Sequence, residues 1–255
     1  MKPSDDFEDF VNLVSTLRKE CPWDHKQTHH TIKDNLIEEA YEVVDAIDRE
    51  NFDDLKKELG DLLLHVLFHS RMAEEKAEFS ISDVLYTISE KLIRRHPHVF
   101  KDVTVESDQE VANNWESIKL KEGKTSTLDG IPSRLPALIR AQRMQEKAGN
   151  VGFDWPDWKL AWKKLNEEID EWRLAIDLQD QKNREDEFGD LLFSLVNVGR
   201  LLSLDAESAL RHANQKFEAR FRYIERNLKK KNSNIQSATL EEMDQLWDEA
   251  KSKGY

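Results

Sequence analysis

The stretch Glu38–Asp61, EEAYEVVDAIDRENFDDLKKELGD, returns as Glu167–Asp190, EEIDEWRLAIDLQDQKNREDEFGD. Both copies read EExxE, fifteen residues, ExxD. On a helix, the second and third glutamates of each copy lie at i, i+3 on one face, and the Glu-x-x-Asp pair repeats that geometry on a following segment. Four carboxylates can therefore converge. Like charges at this spacing cost a helix about 0.2–0.5 kcal/mol per pair, so the arrangement asks for a compensating cation. A hard divalent ion that prefers oxygen ligands, such as Mg2+, answers that need.

Acidic residues are abundant, 51 of 255, so coincidence is the first alternative to weigh. At that frequency five specified positions match by chance about 3 times in 10,000 per alignment tried. The match also extends further. At a constant offset of 129, Ala46, Ile47, Asp48, Gly60, Leu62, Leu63 and Arg71 are answered by Ala175, Ile176, Asp177, Gly189, Leu191, Leu192 and Arg200. With small shifts, Lys91-x-x-x-Arg95 aligns with Lys216-x-x-x-Arg220, and Trp115-Glu116-x-x-Lys119 with Trp247-Asp248-x-x-Lys251. The chain reads as two copies of one helical domain, residues 1–123 and 137–255, joined by a Ser-, Gly- and Pro-containing linker at 124–136.

Charged residues make up 35% and apolar ones 38%, with eight glycines and six prolines, a balance that favours long helices over a turn-rich β fold. The expected class is all-α. In each copy an amphipathic hairpin carries the acids: helices at about 31–48 and from 54 onward in the first, and the span 157–203 in the second. Leu36, Ala40, Val43, Val44 and Ile47 form the expected apolar face of the first hairpin helix, and Asn51-Phe52-Asp53 reads as a turn with an Asp cap. Further helices are expected at 7–20, 82–95, around Trp115, at 138–148, 206–231 and 240–251. His96-Pro97-His98 reads as a turn.

A net charge of −13 argues against nonspecific nucleic-acid or anionic-membrane binding. No stretch approaches eighteen apolar residues, and MKPSDDFEDF at the amino terminus lacks the apolar core of a signal peptide. The single Cys21 cannot form an intramolecular disulfide, which fits a reducing cytoplasm. The reading is a soluble, intracellular protein.

An isolated Glu-x-x-Glu is most often an ordinary solvated face. Here Glu-x-x-Asp runs straight into Leu-Leu in both copies, which sets carboxylates at the edge of an apolar face, where they need a counter-charge. A di-iron carboxylate bundle would require Glu-x-x-His motifs, and no histidine follows an acid at that spacing. All-oxygen ligation favours Mg2+, with Mn2+ as a substitute. Such a site commonly serves phosphate chemistry, and Lys91/Arg95 and Lys216/Arg220, each one helical turn apart, are candidate phosphate clamps. Lys164, one turn before Glu167-Glu168, adds a cation that the first copy replaces with Asn35. Trp115 and Trp247 can stack on a base or anchor a helix. His65 and His69 have metal-ligand spacing but lack the glutamate of a zinc protease motif, and read as packing residues.

These residues, with CPWDHKQTHHTI at 21–32, RRHPHVF at 94–100, GFDW at 152–155 and NQKFEARF at 214–221, resemble the two-domain MazG nucleoside triphosphate pyrophosphohydrolases over nearly the whole chain. The resemblance implies Mg2+-dependent hydrolysis of a (deoxy)nucleoside triphosphate to the monophosphate and pyrophosphate, in nucleotide-pool housecleaning, by a homodimeric helical bundle. It implies Glu168, Glu171, Glu187 and Asp190 as metal ligands, matched in the first copy by Glu39, Glu42, Glu58 and Asp61. It makes Lys164, Lys216, Arg220, Trp247 and the stretch Asn183, Arg184, Glu185 and Asp186 nucleotide contacts. Lys91, Arg95 and Trp115 are the first-copy counterparts. Glu38, Glu167 or a ligand carboxylate would orient the attacking water. Both copies are expected to bind metal and the second to dominate turnover. The competing class is a non-catalytic helical module that binds nucleotide or protein and uses metal only for structure.

Overall fold

A computed structural model describes residues 2–101, 126–231 and 233–255. These fall into two compact units, one holding residues 2–101 and the other residues 126–255. Every described element is a helix. The expected Trp115 helix lies outside the described residues.

The first unit is built from α1 (Phe7–Glu20), α2 (Pro22–Lys26), α3 (His29–Asp48), α4 (Phe52–Glu74), α5 (Ile81–Arg95) and α6 (Pro97–Phe100). Helices α3 and α4 form an antiparallel hairpin, α1 lies along α4, and Val14, Ile32, Leu67, Phe68 and Met72 close the core between them. The second unit repeats the plan with α7 (Ala137–Gly149), α8 (Trp158–Asp177), α9 (Gln181–Leu201), α10 (Ala206–Lys230) and α11 (Leu240–Ser252). Here α8 and α9 are the hairpin, α7 lies along α9, and α10 and α11 pair around Tyr223, Ile224, Leu228, Leu246 and Ala250. Leu67→Ala removes a side chain that is 3% exposed and is expected to cost about 2–5 kcal/mol in chemical denaturation.

Local chemistry sets the helix ends. Asp6, Thr28, Asn51, Ser80, Asp157, Asp180, Asp205 and Thr239 are N-caps whose side chains accept from first-turn amides. The cap of α4 is Asn51, which accepts from the Asp54 amide at 3.2 Å, and not the expected Asp53. Asp53 lies inside the first turn, where its charge still favours the positive end of the helix. Helix α3 starts at His29 through a Thr28–Thr31 capping box, before the expected Thr31, and the sequence around Pro97 forms the single turn α6 rather than a bare turn. The hairpins turn on left-handed residues at matching positions, Glu50 (φ 52°) and Gln179 (φ 55°). At the first, Asn51 N–H bonds back to the Ala46 carbonyl at 3.0 Å, closing a Schellman motif.

The buried seam of α3 runs through Ile32, Leu36, Glu39, Val43 and Ala46, and that of α8 through Ala161, Leu165, Glu168, Trp172 and Ala175. The spacing alternates four and three, the register of helices that cross at a shallow angle. This corrects the expected face: Ile47 is 54% exposed and Ala40 is exposed, because α3 buries one narrow seam against α4 and leaves its other apolar residues outside. The seam register puts an acid, Glu39 or Glu168, at a core position in each unit.

Of the expected linker, residues 126–136 group with the second unit. The buried Lys147 ammonium donates to the carbonyls of Thr127 and Asp129 at 3.1 and 2.8 Å. At the matching position of α1, buried Arg18 donates to the carbonyls of Asp24 and Gln27 and pairs with Glu75 at 2.7 Å. That guanidinium holds the Glu75 carboxyl below its usual range.

Candidate active site

In the second unit, ligand oxygens of Glu168, Glu171 and Glu187 lie within 4.8 Å of one another. Glu168 is buried in the seam, Glu187 is half-buried on α9 and Glu171 is exposed. Asp190, one turn beyond Glu187, lines the adjoining cavity. In the first unit Glu39, Glu58 and Asp61 converge within the same distance. Glu42 lies close enough to Glu58 to help raise its carboxyl pKa. Burial, then the neighbouring acids, raise the carboxyl pKa of Glu39, Glu58 and Glu187. For Glu187 those neighbours are Glu171, Asp190, Glu168 and Asp186. Several carboxylates with few compensating cations and only oxygen donors fit a hard divalent ion.

The two sites differ in their cations. The Lys164 ammonium lies 2.9 Å from Glu168, 3.5 Å from Glu167 and 3.9 Å from Glu171, and its bond to Glu168 raises its pKa. The equivalent residue in the first unit is the exposed Asn35. Asn183, Arg184, Glu185 and Asp186 occupy the first turn and a half of α9, on the approach to Glu187, and Arg184 is half-buried at a seam position.

A cavity of about 540 Å³ opens beside Lys164, Glu168 and Asp190. Its walls are mainly apolar, with Leu128, Met144, Phe153, Trp155 and Phe193 among them, and its polar groups include Gln145, Asn197 and Arg200. The loop after α7 builds one side. Gly152 adopts φ +88°, which favours glycine, and a Cβ at Gly149 would meet Asp154 Oδ2 at 2.7 Å and press on that carboxylate. Asp154 thereby reaches Arg200, which donates to its two oxygens at 3.0 and 2.5 Å. Gln145 Oε1 is buried without a hydrogen-bond partner among the described residues, an arrangement that costs about 1–3 kcal/mol unless a ligand donates to it.

The first unit fills the corresponding space differently. At the 129-residue offset Ser194 becomes His65 and Asn197 becomes buried Phe68. His65 and His69 lie on the α4 seam as packing residues, with His69 Nδ1 2.8 Å from His29 Nδ1 and the two rings stacked. Burial lowers the pKa of both.

Lys216, Arg220 and Trp247 belong to the α10–α11 pair and do not line the cavity. Arg220 lies over the Trp247 ring at 5.3 Å and donates to the Tyr255 carbonyl at 2.9 Å, while Trp247 also packs on Phe217. Trp247 thus lies between α10 and α11 with its face against a guanidinium. Lys91 and Arg95 share the last turns of α5, and Trp115 lies outside the described residues. Sequence reasoning missed Gln145, Ser194 and Asn197. The matched Arg71/Arg200 pair and the GFDW segment were the available signals for that corner of the site.

The MazG nucleotide pyrophosphohydrolase domain matches the chain twice, over residues 27–100 and 159–224, each match spanning one acidic hairpin. The chain is 45% identical over 250 residues to the nucleoside triphosphate pyrophosphohydrolase/pyrophosphatase MazG of Thermotoga maritima, covering 96% of this chain and 95% of that protein. It is 47% identical over 237 residues to the nucleoside triphosphate pyrophosphohydrolase of Escherichia coli (strain K12), covering 91% and 90%. A tandem all-α protein with one acidic hairpin per half is the class these features define. The chain belongs to the MazG nucleotide pyrophosphohydrolase family.

Proposed function

We propose that the second unit hydrolyses (deoxy)nucleoside triphosphates to the monophosphate and pyrophosphate. The observation that carries this reading is the cavity beside the acidic cluster, with Lys164 between them: a chamber large enough for a nucleoside adjoins a place for its phosphates. Glu168, Glu171, Glu187 and Asp190 would hold Mg2+, or Mn2+ in its place. Bound there, the ion neutralises phosphate oxygens and makes the α-phosphorus more electrophilic. Lys164 adds charge on the phosphate side. Glu167, outside the seam and 3.5 Å from Lys164, orients the attacking water. A bond forms from that water to the α-phosphorus, the bond to the α,β-bridging oxygen breaks, and the water's proton passes to the site's carboxylates as pyrophosphate leaves. Positioning and charge neutralisation supply most of the acceleration.

The first unit, with Glu39, Glu42, Glu58 and Asp61, binds the same ion, and turnover there is minor. Lys91, Arg95 and Trp115 are its candidate nucleotide contacts.

The active form is a homodimer. Leu59, Leu63 and Val66 on α4 match Phe188, Leu192 and Leu195 on α9 at the 129-residue offset, and all six are 38–51% exposed. An apolar stripe recurring in both units is suited to cover by a second copy. In that assembly Lys216, Arg220, Trp247 and the 183–186 turn complete the phosphate side. Such an enzyme fits nucleotide-pool housecleaning in the cytoplasm, and no helix among the described residues is long and apolar enough to cross a membrane.

The test is incubation with each nucleoside triphosphate, with Mg2+ and with chelator. Monophosphate plus pyrophosphate, lost on chelation, is the expected result. Diphosphate plus phosphate would move the bond of attack, and no product from any nucleotide would leave a binding module.

A further inference from the structure

Two carboxamides line the cavity, and their neighbours fix which end of each is available. Gln145, 7% exposed, donates through Nε2 to the Phe193 carbonyl at 2.8 Å. A carbonyl only accepts, so the amide must turn its nitrogen there, and Oε1 is left as a buried acceptor without a partner among the described residues. Asn197 has the opposite constraint. Its Oδ1 accepts from Arg200 Nε at 3.0 Å and Nη2 at 2.8 Å. A guanidinium only donates, so the oxygen must face Arg200 and Nδ2 remains as the donor. Arg200 is held in turn by both oxygens of Asp154. Beside its apolar walls and its charged groups, the chamber next to the proposed triphosphate site thus carries one oriented amide acceptor and one oriented amide donor.

We propose that Gln145 and Asn197 read the edge of the nucleobase, Gln145 by accepting a base N–H and Asn197 by donating to a base lone pair. The reading rests on the nucleotide function proposed above. Each standard base offers both kinds of group, so the pair selects an intact base edge more than one particular base. Adenine meets it with its amino group and a ring nitrogen. At the 129-residue offset the first unit has Thr16 and Phe68 in these places, so the pair belongs to the second unit alone.

The test compares kcat/KM of the full chain with Mg2+ for ATP, for purine riboside triphosphate, which lacks the amino donor, and for 1-deaza- and 7-deaza-ATP, which each lack one ring acceptor. Wild type should favour ATP over purine riboside triphosphate by about 10- to 100-fold, and over one deaza analogue by a similar factor. Gln145→Leu should collapse the first ratio towards one and leave the second; Asn197→Leu should do the reverse. Asn197→Asp keeps an oxygen for Arg200 while removing the donor, and should repeat the Asn197→Leu pattern if that variant folds poorly. Equal turnover of ATP and its analogues by wild type would overturn the proposal. So would variants that slow parent and analogue alike, the mark of a structural role, or turnover of thymidine triphosphate without ATP. Absence of pyrophosphate from every triphosphate would instead overturn the hydrolase reading itself.

Discussion

Glu171→Gln should lower kcat for triphosphate hydrolysis by at least about 100-fold, a loss typical of removing a group that stabilises developing charge. Glu42→Gln, its counterpart, should leave activity within about threefold of wild type. The asymmetry follows from the surroundings. Lys164 and the cavity stand beside Glu168 and Asp190, whereas the first unit has Asn35 at the lysine position and Phe68 and His65 at positions that line the second unit's chamber. Steady-state pyrophosphate release for the two variants, with Mg2+ binding measured separately, checks the assignment. Full activity in Glu171→Gln with loss in Glu42→Gln would place turnover in the first unit.

Glu187→Gln should raise the melting temperature of the metal-free protein at neutral pH and abolish most of the upward shift that Mg2+ gives the second unit. Burial and the surrounding acids raise the Glu187 pKa in the folded state. A raised carboxyl pKa means that folding favours the protonated form. The associated stability is present below the unfolded-state pKa and is lost as pH rises through the folded value. At neutral pH the ionised group therefore opposes folding, and a neutral amide relieves that opposition. The advantage of the variant should shrink as acidification protonates Glu187 in the wild type. Thermal melts across pH, with and without Mg2+, measure both effects; a variant less stable than wild type at neutral pH without metal would refute the argument.

The hairpins were legible because two periodicities coincide in them: acids at i, i+3 and apolar residues at helical spacing, written twice. The repeat at offset 129 carried the architecture further than either copy could alone, and the structure extends the correspondence to left-handed turns at Glu50 and Gln179 that the sequence did not announce. Which apolar residues face inward was less legible. Ala40, Val44 and Ile47 fit a helical stripe as well as Ala46 does, and only the packing of α3 on α4 selects the narrow seam. The acids announced themselves as charges in unusual company. The chamber did not, because Gln145 lies on α7 and Ser194 and Asn197 on α9, with α8 between them in sequence, and nothing in the spacing marks Gln145 as a neighbour of the other two. The polarity of the two amides emerges only when a carbonyl and a guanidinium are found beside them.

The tie between Asp154 and Arg200 has a consequence for affinity. The loop that walls the chamber is bent by Gly149 and Gly152 and fastened to α9 before any ligand arrives. Its conformational entropy is lost when the chain folds, so binding removes little more. A preorganised wall of this kind favours rapid entry and rigid-body docking over closure around the ligand. Cutting the tie, as in Asp154→Ala, would turn a standing wall into one that each incoming molecule must assemble for itself.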